Sequence, residues 1–403
     1  MFPNNYTSVL SWIFLLSAFI VFYNYVGYAA IVFLLNSLKK TPPTTPARPD
    51  ELPTVSFIVA AYNEEDCLKE KIANSLQQNY PPGRIEFIFI TDGSTDSSAA
   101  IVSSHPRIIG LHEAPRRGKS AALNRAVTHA TNDILIFSDA NTALNPDAVL
   151  NIARHYLLPS TGGVAGEKKV LTAHGSPDEV GAGEGLYWKY ESFLKKLDSD
   201  FYSVVGAAGE LFSVRRNLYE ALPQDIILDD FVLSLKVAGK GYPIRYEPDA
   251  YAMELPSFSL KDEGKRKVRI AAGGFQAISL LTPLLAFWKH PRLSFLFISH
   301  RVLRWALSPF CLILAALSNA ALCFGTDILL FKVLFACQIA FYLPGLSAAA
   351  SPAIRKKNKL ARFSYYFLFM NVSVIKGFIR YLGGRQSATW EKARRATGSL
   401  PPQ

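Results

Sequence analysis

Residues 11–35 carry no charge, and Trp12, Ile13, Phe14, Leu15 and Leu16 open an apolar run longer than the roughly 20 residues that cross a bilayer. Nothing basic precedes this run, and it exceeds the apolar core of a cleavable signal peptide, so the pattern predicts an anchor. Two more apolar runs, at about 306–324 and 328–346, are predicted spans, joined by a short turn at Gly325, Thr326 and Asp327. Lys39 and Lys40 follow the first span, and Arg355, Lys356, Lys357 and Lys359 follow the third. Basic residues stay inside, so the central part of the chain is expected in the cytoplasm, on a multi-pass protein of the inner or plasma membrane. Residues 363–382 are aromatic but include Asn371, Lys376 and Arg380, which predicts an interfacial or re-entrant segment.

The period changes between the spans. Val55-Ser56-Phe57-Ile58-Val59-Ala60-Ala61 is a continuous apolar run of the kind buried in a parallel sheet. Ile85-Glu86-Phe87-Ile88-Phe89-Ile90 and Ile134-Leu135-Ile136-Phe137-Ser138 are two more, and a helical pattern covers about 65–78. Strands alternating with helices predict a doubly wound, Rossmann-like sheet, with ligands bound off the carboxyl ends of its strands. The division expected is an anchor (1–40), a stiff Pro-rich linker (41–53), an α/β domain (54–255) and amphipathic interfacial helices (256–304). Transmembrane or re-entrant helices (305–382) and a basic tail (383–403) complete it.

The net charge of +11 would by itself suggest nucleic acid or an anionic membrane as partner. Its distribution separates the two. Residues 1–255 hold 22 basic and 28 acidic side chains, 256–304 hold 9 and 2, and 351–403 hold 11 and 1. The excess thus flanks the apolar runs and leaves the α/β domain acidic, which points to membrane lipids and away from nucleic acid. Four cysteines form no CxxC pair and support neither zinc nor a disulfide framework.

All three predicted strands end in polar groups: Asn63 and Glu64, then Asp92 to Asp96, then Asp139 and Asn141. Helix N-caps would account for Asp92 or Asn141 singly; three such groups on one sheet edge favour a site. Acidic side chains meet phosphates through a divalent cation, and Asp139 with Asn141 offers oxygen ligands for Mg²⁺ or Mn²⁺ beside a diphosphate. Gly118-Lys119-Ser120 is not a P-loop, because Glu113 stands where that motif needs glycine, but Lys119 at a helix start remains a candidate phosphate ligand.

Ala60-Ala61-Tyr62-Asn63-Glu64, Thr91-Asp92-Gly93-Ser94-Thr95-Asp96, Gly118-Lys119 with Ala122-Leu123-Asn124, and Ser138-Asp139-Ala140-Asn141 occur in order and at the spacing of family 2 glycosyltransferases. The chain resembles their membrane-embedded branch, which includes synthases of cellulose, hyaluronan and poly-N-acetylglucosamine. Gly206 to Phe212 and Leu228-Asp229-Asp230 look like the acceptor-side segments. The resemblance implies a GT-A fold and inverting transfer from a nucleotide sugar, UDP-linked in most relatives, to a glycan or exopolysaccharide acceptor. Ala61, Tyr62, Asn63, Glu64 and Asp92 would take the nucleoside, Lys119 and Arg269 the diphosphate, and Asp139 and Asn141 the metal. Asp230 would be the general base, with Gly209, Asp229 and Arg266 on the acceptor side.

Two departures stand out. Relatives often have Asp where this chain has Asn141, and polymerising relatives carry Gln-x-x-Arg-Trp where this chain reads Arg266-Lys267-Val268-Arg269-Ile270. Ile270 cannot supply an aromatic platform for a sugar; Tyr187, Trp188 and Tyr190 are an alternative platform or, equally, core residues. The cluster 265–269 could also be a lipid-facing basic patch. Transfer to a lipid or lipid-phosphate acceptor therefore stays open, as do synthase or secretion partner subunits.

Overall fold

The computed structural model describes residues 4–39, 51–171, 179–257 and 259–384, so most of the expected linker and nearly all of the basic tail lie outside the described residues. Helix α1 (Asn4–Phe22) passes through a π-helical stretch, Tyr23–Gly27, into α2 (Tyr28–Ser37). The α/β part then runs β1 (Val55–Ala61), α3 (Glu65–Leu76), β2 (Ile85–Asp92), α4 (Ser98–Ser103), β3 (Ile109–Glu113) and α5 (Lys119–His129). It continues with β4 (Ile134–Asp139), β5 (Ala143–Leu144), α6 (Ala148–Arg154), β6 (Gly163–Val170) and α7 (Glu179–Phe201). β7 (Leu211–Arg215), α8 (Asp229–Gly239) and β8 (Ile244–Glu254) complete it.

The strands form one mixed sheet in the order β3-β2-β1-β4-β7-β6-β8-β5. β3, β2, β1 and β4 are mutually parallel, and β7 runs antiparallel to β4 and β6. Alternate residues of the apolar strands serve opposite faces. Ile58, Ile88, Leu135 and Phe137 join one core cluster, while Phe57, Val59, Phe87 and Ile136 join the other. Both faces are covered, which is why these strands read as unbroken apolar runs.

Helices α9 (Leu260–Leu280), α10 (Pro291–Phe297) and α11 (Leu303–Ala306) follow, with a second π-helical stretch at Ile298–Val302. Phe287 and Trp288 are exposed as an interfacial segment would have them, but Leu293, Leu296 and Phe297 sit in the core of the α/β domain. The amphipathic pattern here is thus satisfied as much by protein as by any lipid surface. α12 (Ser308–Gly325), α13 (Leu329–Ala350), α14 (Pro352–Lys357) and α15 (Lys359–Leu382) end the described chain.

Among the described residues, three helices are long and apolar enough to cross a membrane: Tyr6–Ser37, Ser308–Gly325 and Leu329–Ala350. Residues 363–382, an interfacial or re-entrant segment by sequence, are helical throughout. They belong to one unbroken helix, α15, started by the Asn358 side chain accepting from the Ala361 N–H at 3.1 Å. Its apolar side lies along α9 and α13.

A buried polar cluster fastens the first apolar helix to the domain. The Tyr28 hydroxyl donates to Asp198 Oδ1 at 2.5 Å, and His300 Nδ1 lies 2.6 Å from Asp198 Oδ2. Arg301 pairs with Glu191 at 3.0 Å and donates to the Val205 carbonyl at 3.1 Å. Close packing fixes the adjoining loop too. Gly206 has φ +87°, and a Cβ there would stand 2.1 Å from the Phe231 ring. Gly206→Ala is expected to destabilise the protein by at least roughly 1–3 kcal/mol, read as a lower thermal midpoint.

Candidate active site

Two loops at the sheet edge are laced together by their own polar side chains. Asn63 adopts φ +52°, its Oδ1 accepts from the Thr95 N–H at 2.8 Å, and its own N–H donates to Ser94 Oγ at 3.1 Å. Ser98 Oγ accepts from the Glu64 N–H at 2.9 Å. Asp92 is buried at the end of β2, where its carboxylate accepts from the Gly118 N–H at 2.6 Å and the Arg117 N–H at 3.0 Å and pairs with Arg125 at 3.0 Å. Gly118 has φ +96°, a turn that glycine makes without strain. Asp92 thereby fixes the turn that delivers Lys119 to the start of α5.

A cavity of about 1140 Å³ lies against this edge. Tyr62, Glu64, Lys119, Asp139 and Asn141 line it from the strand ends, Gly209, Asp229 and Asp230 from the opposite side, and Arg266 and Arg269 from α9. Ala61, Asn63 and Asp92 do not line it; the last two hold the loops behind it. Lys119 Nζ is 2.6 Å from Asp139 Oδ1. A Cβ on Gly209 would stand 3.0 Å from Lys119 Nζ and 3.2 Å from Asp230 Oδ2, so the missing side chain leaves both groups open to the space beside it.

The electrostatics follow from that proximity. Burial, reinforced by the neighbouring Asp229 charge, pushes the Asp230 carboxyl up to about 7, although Lys119 and the Phe231 N–H, at 2.8 Å, favour its ionised form. Burial disfavours the Lys119 ammonium, but Asp139, Asp229 and Asp230 outweigh it and hold the lysine above its ordinary range. The Asp139 carboxyl is raised by burial, with Lys119 opposing.

Lys71 gave no signal in the sequence, where it reads as one more charged residue of an amphipathic helix. It is buried beneath the β4–β5 turn and donates to Ser138 Oγ at 2.7 Å, the Thr142 carbonyl at 2.9 Å and Thr142 Oγ1 at 3.2 Å. Burial lowers it to about 7. It bridges the two residues that bracket Asp139, Ala140 and Asn141.

The basic cluster of α9 is divided in use. Arg266 donates to Glu263 at 3.0 Å and Lys267, buried, lies 3.3 Å from the same carboxylate. These two therefore belong to the protein interior, not to a lipid-facing patch. Tyr187 and Trp188 line the cavity but serve as faces for cations: Lys267 stands 5.0 Å from the Tyr187 centroid and Lys168 5.1 Å from that of Trp188. The Tyr190 hydroxyl donates to the Tyr25 carbonyl at 2.9 Å, and Tyr190 is not among the lining residues.

Among the described residues no three His, Cys, Asp or Glu side chains converge to cage a metal. A hard cation at a diphosphate needs no such cage, because it takes one or two protein oxygens and fills its shell with water and phosphate oxygens. The Asp139 carboxylate and the Asn141 amide, both on the cavity, fit that donor set.

Residues 56–222 match the family described as Glycosyl transferase family 2. The chain carries a family 2 glycosyltransferase domain. Asp229, Asp230 and the α9 arginines lie beyond the matched segment. Poly-beta-1,6-N-acetyl-D-glucosamine synthase of Staphylococcus aureus is 27% identical over 236 residues, 57% of this chain and 56% of that protein. Its counterpart in Staphylococcus epidermidis is 26% identical over 243 residues, 58% and 56% of the respective chains. The match thus spans a little over half the length of these curated relatives. The mannosyltransferase PcManGT from Pyrobaculum calidifontis, solved in complex with GDP-Man and Mn²⁺, superposes with a TM-score of 0.73 at 23% identity, covering 94% of this chain and 100% of that one. At that identity the likeness speaks for the fold, which is GT-A.

Proposed function

We propose that this chain is an inverting glycosyltransferase that moves a sugar from a nucleoside diphosphate, UDP by resemblance, onto a glycan at the cytoplasmic face of a membrane. The observation that supports it is that the paired Lys119 and Asp139 line one cavity with Asp230, which is poised near neutral pH. In this reading Tyr62 and Glu64 take the nucleoside, on loops that Asn63 and Asp92 hold from behind, while Lys119 and Arg269 neutralise the diphosphate. An acceptor hydroxyl on the Gly209 and Asp229 side attacks the anomeric carbon as Asp230 removes its proton. The new carbon–oxygen bond forms as the bond to the diphosphate breaks, and its electron pair leaves with the nucleoside diphosphate. A single displacement inverts the carbon, and no covalent intermediate is required. Mg²⁺ or Mn²⁺ held by Asp139 and Asn141 would neutralise charge on the leaving diphosphate.

The orientation rests on Lys39 and on the basic residues of α14, which stay inside with the domain. Purified full-length protein in nanodiscs should release nucleoside diphosphate from one of a panel of UDP- and GDP-sugars. EDTA should abolish release and Mn²⁺ should restore it. Full turnover in EDTA would remove the metal from the mechanism, and mass spectrometry of the product identifies the sugar.

A further inference from the structure

The cavity is larger than the 300–1,000 Å³ typical of small-molecule sites, at about 1140 Å³, and its far wall differs in kind from the sheet edge. That wall is built by α9 and α15. Phe369, Met370, Val372, Ser373, Lys376 and Arg380 reach it from α15 at three- and four-residue spacing, which places them along one side of the helix. Lys261, Lys265 and Arg269 reach it from α9, each four residues from the last. The two helices are firmly joined: Phe275 and Phe378 pack at a tilt of 49° with centroids 4.9 Å apart, the Ser279 and Tyr381 hydroxyls lie 2.7 Å apart, and Gly377 packs directly on Ala271. The wall is therefore preformed.

Its charges are disposed unlike those deeper in the site. Arg266 and Lys267 are neutralised by Glu263. Among the described residues, no carboxylate pairs with Lys261, Lys265, Lys376 or Arg380, and Asp262 nearby accepts from the Ser259 hydroxyl at 2.6 Å. Lys376 and Val372 are exposed side by side on α15, which lies along the apolar helix α13. A neutral, soluble glycan would call for hydroxyl and amide partners; this wall offers unpaired cations between aliphatic and aromatic side chains. That combination is complementary to a phosphate on a hydrocarbon chain.

We infer that the acceptor reaches this site on a lipid phosphate, its phosphate held by Lys376 and Arg380 of α15 with Lys261 and Lys265 of α9, and its chain led along Phe369, Met370 and Val372 towards the apolar helices. This rests on the glycosyl transfer proposed above and names its acceptor class. A base at Asp230 is needed only where the nucleophile has a proton to lose, and a phosphate oxygen at neutral pH has none. The nucleophile is therefore a hydroxyl of a sugar that the lipid phosphate already carries.

The test uses full-length protein in phosphatidylcholine nanodiscs, with nucleoside diphosphate saturating the donor site and farnesyl diphosphate as probe in calorimetry. Farnesyl diphosphate should bind one to one, and inorganic diphosphate at least about tenfold more weakly. K376E/R380E should weaken farnesyl diphosphate by about tenfold or more, with K376Q/R380Q as a milder pair and K376R/R380K retaining affinity. Binding that is absent, or equal in wild type and K376E/R380E proteins of matched thermal midpoint, overturns the inference, as does equal competition by phosphatidylglycerol. Membranes given labelled donor should form an organic-extractable product that mild acid cleaves to a saccharide of more than one unit; release of a single labelled sugar would sink the hydroxyl nucleophile. Loss of farnesyl diphosphate binding with continued nucleoside diphosphate release would leave the glycosyltransferase reading intact. Retained binding without release from any donor would remove that reading instead.

Discussion

Asp230→Asn is expected to lower turnover by about 10²- to 10⁴-fold, the usual worth of a positioned general base, with little change in nucleotide-sugar affinity. In the wild type, kcat/KM should rise about tenfold per pH unit and level off above about 7, because only the carboxylate can take the acceptor proton. The same substitution should stabilise the protein, which distinguishes it from a structural lesion. The folded-state value near 7 stands above the ordinary 3.8, so the folded protein holds this proton more tightly than the unfolded chain does. Stability from this group is complete below pH 3.8 and is lost as pH rises through 7. Asn carries no such penalty, so at pH 8 the variant should gain at most about 4 kcal/mol, shrinking to nothing near pH 4. A variant that keeps turnover, or one whose thermal midpoint falls at pH 8, would remove Asp230 from its role.

The largest loss of stability is expected from Asp198→Ala. Its carboxylate accepts from the Tyr28 hydroxyl and faces His300 Nδ1, all three fully buried. Removing one partner from a buried charged cluster leaves the others unsatisfied, at a cost of roughly 3–5 kcal/mol. Tyr28 belongs to the first apolar helix, Asp198 to α7 and His300 to the stretch before α12, so the loss loosens three segments at once. Asp198→Asn, which keeps an acceptor for Tyr28, should cost less. An unchanged thermal midpoint in the Ala variant would show that the cluster contributes nothing to holding helix and domain together.

What could be read from the sequence followed from strong local patterns. The predicted apolar runs fall on the three apolar helices, and β1, β2 and β4 occupy the predicted apolar segments because burial on both faces leaves no polar alternation. Residues 363–382 read ambiguously in the sequence because Asn371, Lys376 and Arg380 interrupt the apolar pattern. In the structure Asn371 is buried and accepts from the Tyr25 hydroxyl at 3.1 Å, a long-range partner that no local window contains. The sequence left Trp188 between sugar platform and core residue, because an aromatic residue carries no mark of the lysine that will lie near its face.

By itself the sequence determined the division into apolar helices and an α/β domain, the acidic groups at the strand ends and the family to which they belong. These depend on periodicity and order along the chain. The tertiary structure alone decided which polar groups would be working surface and which would be scaffold. Asp92 and Asn63 spend their hydrogen bonds on loops, Lys71 is drawn in beneath the Asp139 turn, and Asp230 and Lys119 both flank Gly209. Burial and neighbouring charge set the proton affinity of Asp230; Asp229 is adjacent in the chain, but the burial and the opposing Lys119 come from the tertiary structure. The same is true of the unpaired cations on α9 and α15, whose setting depends on how two amphipathic helices pack against each other.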